Sequence, residues 1–253
     1  MSPKLKRFPR FDRTERVVHW TNATLFFILI ATGASLKLGS LSTVVAHRHT
    51  VKTIHVIAGF LLPLPIIVAI LLHSGRQFRR DLSRLNRWTD ADRLWWSPRT
   101  RRDAQLGKFN PGQKLNAIFI GAVIVVMLMT GSILAWPDPF RDSWREGATF
   151  VHDSTWLVVM IVIAGHIIFA TRDLDSLRSI FKGWVPESWA RRERPAWWAE
   201  IVAARASSGD AVGDVSAGGE QRIDESGARA GEVPVVDVVD ARAGDRLGGG
   251  DLE

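Results

Sequence analysis

Four histidines lie in or beside long apolar runs: His19 in RVVHWTN, His55 in KTIHVIAGF, and His152 and His166 near the two ends of FVHDSTWLVVMIVIAGHIIFA. Neutral imidazole is the commonest metal ligand in proteins, and in an apolar interior it is costly unless its nitrogens find partners. Ionisable groups inside a membrane usually mark function. These residues therefore suggest metal ligation at membrane depth. On a helix, the fourteen-residue spacing returns His166 to within about 40° of the direction of His152 and sets the two about 21 Å apart along the axis. They share one face at opposite depths.

The elements that must position them are four apolar runs, 17–36, 54–73, 115–136 and 151–170. Each is close to the about 20 residues that cross a hydrocarbon core of about 30 Å. The expected fold is an all-α membrane protein, a four-helix transmembrane bundle. A cleaved signal peptide is the competing reading of the first run, but that run exceeds the about 7–15 apolar residues of a signal core. Basic residues set the orientation, because they favour the cytoplasmic side. Six precede the first run (Lys4, Lys6, Arg7, Arg10, Arg13, Arg16) and eleven lie between 74 and 114, whereas the other two connections are poor in them. The expectation is a multi-pass protein of the cell membrane with both termini cytoplasmic.

With alternating helices, the second and fourth runs begin on the outer side, so His55 and His152 lie at outer depth. His19 and His166 lie at inner depth. Two imidazoles facing each other across a bundle are what a six-coordinate haem iron needs, and bundle cores are common cofactor sites. Two such pairs predict two stacked b-type haems. Gly59 and Gly165 are small residues near the ligands that would admit a flat macrocycle. The chain has no cysteine, which excludes thiolate-bound iron–sulfur clusters and covalent haem attachment through C-x-x-C-H. His47 and His49 read as residues of a solvated outer loop. His73 shares the face of His55 at the inner boundary, as an interfacial residue or a reserve ligand of the inner haem.

Residues 204–253 carry no aromatic residue, no lysine, and eleven acids against five arginines. Such a segment cannot bury enough surface to offset its ordering entropy and reads as a disordered acidic tail beyond a di-haem domain at 1–203. Its net charge is −6 within a chain of +7, which leaves +13 on residues 1–203. That charge flanks the membrane helices, so it suits anionic membrane lipid and argues against nucleic acid.

Four stretches carry a resemblance: RFDRTERVVHW; LGKFNPGQKLNAIF with the helix ending MTGSILAWP; the pair FVHDSTWLVVMIVIAGH; and SIFKGWVPESWARRERPAWWAEI. Over about residues 7–201 the chain resembles the cytochrome b (gamma) subunit of membrane-bound formate dehydrogenases, within the di-haem group that also serves nickel–iron hydrogenases. Departures are Pro111 inside the shared stretch, Pro63 and Pro65 in the second run, and the long Arg- and Trp-rich inner connection.

The resemblance implies an electron-transfer subunit with no substrate-oxidising site of its own. His55 with His152 would hold the outer haem iron and His19 with His166 the inner one. The implied partners are an iron–sulfur subunit, a molybdenum- or tungsten-containing catalytic subunit, and menaquinone or ubiquinone as acceptor. Asn-Pro-Gly at 110–112 taken alone is a turn that starts a helix. With the resemblance, the amides of Asn110 and Gln113 become candidates to hold a quinone carbonyl at the membrane boundary, beside Lys108 and Lys114. Competing readings are the cytochrome of a nickel–iron hydrogenase or another oxidoreductase, and a non-redox transporter or anchor. A transporter would place charge near the midplane, yet Asp138, Asp142, Glu146 and Asp153 fall at the outer boundary.

Overall fold

The computed structural model describes residues 7–38, 47–72 and 75–220, and the side chains as far as 207. His73 and the tail beyond 220 lie outside the described residues. Among the described residues, four stretches are long and apolar enough to cross a membrane: α1 (Arg13–Lys37), α2 (Arg48–Leu61) continued by α3 (Leu64–Leu71), α6 (Pro111–Ala135) and α7 (Asp142–Arg172). Two short helices, α4 (Arg76–Leu85) and α5 (Asp90–Trp96), precede α6; α8 (Leu174–Lys182), α9 (Glu187–Glu193) and α10 (Pro195–Glu220) follow α7. The chain divides at Arg205, so 206–220 is the separate end of α10. That helix continues into the segment whose composition predicts disorder from 204 onward; Ala203, Ala204 and Ala206 are strong helix formers.

Polar residues extend the helices beyond their apolar runs. At the start of α1, Glu15 N–H donates to Asp12 Oδ1 at 2.8 Å and Asp12 N–H donates to Glu15 Oε2 at 2.7 Å. This reciprocal capping box satisfies two orphan amides of the first turn. At the start of α6, Gln113 N–H donates to Asn110 Oδ1 at 2.9 Å and Asn110 N–H to Gln113 Oε1 at 3.0 Å. Pro111 occupies the first turn of α6, where its missing N–H costs nothing. Pro63 interrupts the second span, ending α2 at Leu61 and restarting it as α3.

The bundle is apolar on its outside. Leu71 is 78% exposed, Phe169 69% and Met129 65%, as expected of side chains that meet lipid. α1 packs on α2 and α3, α6 packs on α7, and the two hairpins meet through α2 and α6.

Outside the spans, the all-helical expectation gains a small sheet. β1 (Arg7–Pro9) pairs antiparallel with β2 (Trp184–Pro186), Phe8 opposite Val185. Phe8, Val185, Trp189, Ala190 and Trp197 form a buried core beneath it. Gly183 makes the turn possible, because its φ of 82° is left-handed and a Cβ there would lie 2.7 Å from Phe11 O. Its own carbonyl accepts from Arg10 and Phe11 N–H at 2.9 and 3.1 Å. The first segment of the chain is thereby tied to the segment following α8.

Candidate functional site: two histidine pairs

Helix α1 carries His19, α2 carries His55, and α7 carries both His152 and His166. The structure brings them together as the depth argument expects. The rings of His19 and His166 have centroids 6.4 Å apart at 44°, and those of His55 and His152 lie 6.3 Å apart at 65°. An imidazole nitrogen bonds zinc at about 2.0–2.1 Å, a fair measure for iron, and lies about 1.1–1.2 Å from its ring centre, so two rings sharing one metal have centroids about 6.4 Å apart. Both pairs match that separation, so each could hold one metal between its rings. They do not fit a polyhistidine site, since no group of three or more His, Cys, Asp or Glu residues converges among the described residues.

The side chains beside the His55–His152 pair also suit a flat, largely apolar group. Glycine approaches the His55–His152 pair from both sides: a Cβ at Gly33 would lie 3.3 Å from His55 Cε1, and one at Gly131 would lie 3.3 Å from His152 Cε1. Gly59 and Gly165 do not touch the rings of the other histidines. A Cβ at Gly59 would meet only Leu29, and one at Gly165 meets nothing within 4 Å. Among the buried polar atoms of the described residues that lack a protein partner, two lie near the histidines: Trp156 Nε1 beside Gly33 and Asn22 Oδ1 one turn beyond His19. These are sites where polar edges of a bound group can be satisfied.

Sequence reasoning missed two hydroxyls. Thr32 Oγ1 lies 2.8 Å from His55 Nδ1, and Thr130 Oγ1 lies 2.9 Å from His152 Nδ1. The signal was a repeated Thr-Gly: each Thr stands twenty residues after the N-cap of its helix, Asp12 for α1 and Asn110 for α6.

Asn110 and Gln113 are the capping box of α6, so both amide oxygens are engaged. Their amide nitrogens make no hydrogen bond among the described residues. Lys108 and Lys114 are not free cations. Lys108 is 3% exposed and pairs with Asp81 and, at 3.5 Å, with Glu15. Lys114 pairs with Asp92 at 2.7 Å and donates to Arg87 O at 2.7 Å. Burial works against ionisation of Asp81, but its hydrogen bond with Glu15 and the ammonium of Lys108 outweigh it and hold its carboxyl below the usual range. Glu15 precedes His19 by one helical turn, so Lys108 fastens the LGKFNPGQK stretch at the His19 end of the bundle. His47 and His49 are exposed at the start of α2.

Four spanning helices that face two histidine pairs across their interior define the class, an integral-membrane b-type cytochrome. Residues 10–183 match the model of the prokaryotic cytochrome b561 family, and the chain belongs to that family, whose cofactor is haem b. Among its relatives is the cytochrome b556(fdo) subunit of formate dehydrogenase from Escherichia coli (strain K12), 23% identical over 203 residues, covering 76% of this chain and 92% of that protein. The formate dehydrogenase cytochrome b556 subunit of Haemophilus influenzae is 25% identical over 205 residues (78% and 84%). The nitrate-inducible cytochrome b556(Fdn) subunit of Escherichia coli (strain K12) is 24% identical over 213 residues (80% and 95%).

Proposed function

We propose that this chain is the membrane-anchoring cytochrome b subunit of a formate dehydrogenase complex, carrying electrons from an iron–sulfur partner, by way of two b haems, to a membrane quinone. The observation that carries the reading is the pair of imidazole–imidazole centroid distances, each close to the separation that two imidazoles holding one metal between them would have. His55 with His152 would hold the outer haem and His19 with His166 the inner one. Haem bound there supplies reversible one-electron transfer. The chain's own residues do the rest: they orient the axial ligands, keep the path in an apolar bundle, and shape the acceptor site. The relatives' names support formate dehydrogenase as the complex, which requires a separate subunit to oxidise formate. With no cysteine, this chain cannot ligate an iron–sulfur cluster through thiolates, which supports assigning the iron–sulfur relay to a partner, and the resemblance adds a partner with a molybdenum or tungsten centre.

The acceptor site proposed here is the start of α6 at the inner end, with menaquinone or ubiquinone as the acceptor. Amide N–H groups of Asn110 and Gln113 remain as donors to a quinone carbonyl, and the Lys108–Glu15 tie holds them near the His19 end. Lys108 and Lys114 act there through structure, holding the turn in place. The basic connections support a cell-membrane orientation with both termini cytoplasmic. The test uses the complex isolated in mild detergent: formate reduces the b-haem absorbance and a soluble quinone analogue reoxidises it. Reduction by hydrogen with none by formate would assign the chain to a hydrogenase instead.

A further inference from the structure

We propose that Thr32 and Thr130 are positioning residues that lock His55 and His152 in the Nδ1–H tautomer, so that Nε2 of each is the metal ligand, and that this device belongs to one pair alone. The proposal rests on the two-haem reading and deepens it. Thr32 Oγ1 lies 2.7 Å from Ile28 O as well as 2.8 Å from His55 Nδ1. Thr130 Oγ1 lies 2.8 Å from Val126 O as well as 2.9 Å from His152 Nδ1. A carbonyl oxygen has no proton to give, so each hydroxyl spends its single proton on the carbonyl one turn back. The bond to the ring must then run the other way. Nδ1–H donates to Oγ1, and the lone pair of the ring is left on Nε2.

The arrangement is built twice. Helices α1 and α6 each place Thr-Gly twenty residues after their N-cap, and in each the threonine meets Nδ1 of a histidine while the glycine lies against its Cε1. Hydroxyl and glycine together fix both the proton and the position of the ring. Neither His19 nor His166 has a hydrogen bond to its ring nitrogens among the described residues, so the two pairs differ in kind. A donated Nδ1–H makes the ligating nitrogen more basic, and such outer partners alter metal affinity about 10–100-fold when removed. A more basic ligand favours ferric over ferrous iron. The His55–His152 haem is thereby held at a lower midpoint than the same ligands would give without the threonines.

The test is optical redox titration and low-spin electron paramagnetic resonance on the intact complex carrying Thr32→Val and Thr130→Val. A tenfold fall in the ferric-to-ferrous binding ratio raises the midpoint of one haem by about 59 mV for a one-electron couple. The other haem stays in place as an internal control. Thr32→Ser and Thr130→Ser restore the wild-type values; selective loss of one haem in the valine variants, rescued by serine, has the same meaning. In the ferrous wild-type protein, nitrogen-15 spectra of labelled histidine should show a protonated, hydrogen-bonded Nδ1 on His55 and His152. Two haems with unmoved midpoints in the double valine variant, or an unprotonated Nδ1 in the wild type, overturn the proposal alone. A wild-type complex with no haem bound by this chain overturns the two-haem reading and this proposal with it.

Discussion

Replacing Lys108 by methionine removes the ammonium that Asp81 and Glu15 share while keeping most of the side-chain volume against Phe11 and Phe109. Lys108 and Asp81 are each 3% exposed and Glu15 is 7% exposed, so the Asp81 carboxylate cannot be rescued by solvent. Removing one partner of a buried pair costs about 3–5 kcal/mol. Arg84 still donates to Asp81 at 2.9 Å, which places the expected loss near the lower limit, about 3 kcal/mol. Cation–π contacts over Phe11 and Phe109, at 4.9 and 5.5 Å, add about 0.5–1 kcal/mol to it. Lys108→Met combined with Asp81→Leu should recover part of the loss, since it removes a stranded charge. The assay is unfolding in detergent followed by tryptophan fluorescence. The pH dependence has a definite sign: the folded carboxyl of Asp81 is depressed, so its contribution is complete above the ordinary carboxylate range and disappears as pH falls through the folded value. The stability gap between wild type and Asp81→Asn therefore closes on acidification. A loss below about 1 kcal/mol for Lys108→Met, the range of an exposed pair, or a gap that widens in acid, would refute the reasoning.

Gly131→Ala places a Cβ 3.3 Å from His152 Cε1 and should shift the low-spin haem spectrum, whereas Gly121→Ala, with nothing within 4 Å, should leave it unchanged. Asn110→Asp and Gln113→Glu keep the capping oxygens but remove the amide donors, so they should slow haem reoxidation by quinone with little change in stability. Asn110→Ala should also lose the cap, about 0.5–2 kcal/mol; equal reoxidation rates in all three would remove both residues from the acceptor site. Tags near Arg93 and Ser143 should be protease-accessible from opposite sides of the membrane, with Arg93 cytoplasmic.

What the sequence revealed best depends on local geometry. Span length, helix period and charge bias each need only neighbouring residues, and together they sort His19, His55, His152 and His166 into the pairs that the bundle brings to 6.3 and 6.4 Å. The box at Asn110 and Gln113 was also readable as a polar residue followed three later by glutamine. Glycine was not legible in the same way. Gly33 and Gly131 meet the His55 and His152 rings from other helices, and which glycines do so depends on how the helices rotate against one another. Thr32 and Thr130 look like ordinary helix threonines bonding the preceding turn; their meaning arises only when another helix brings Nδ1 within reach. Contacts of long sequence range were equally hidden. Lys108 meets Asp81 and Glu15 across 27 and 93 residues, and β1 finds β2 more than 170 residues further along the chain.

Haem content of purified single-histidine variants tests the central claim most directly. A pyridine extract of the wild-type chain should show two non-covalent protohaems; His152→Ala and His55→Ala should each lose one and the same haem, and His166→Ala and His19→Ala the other. Retention of both haems in all four variants, or loss of one haem by a cross-paired set such as His152 with His19, would contradict the account.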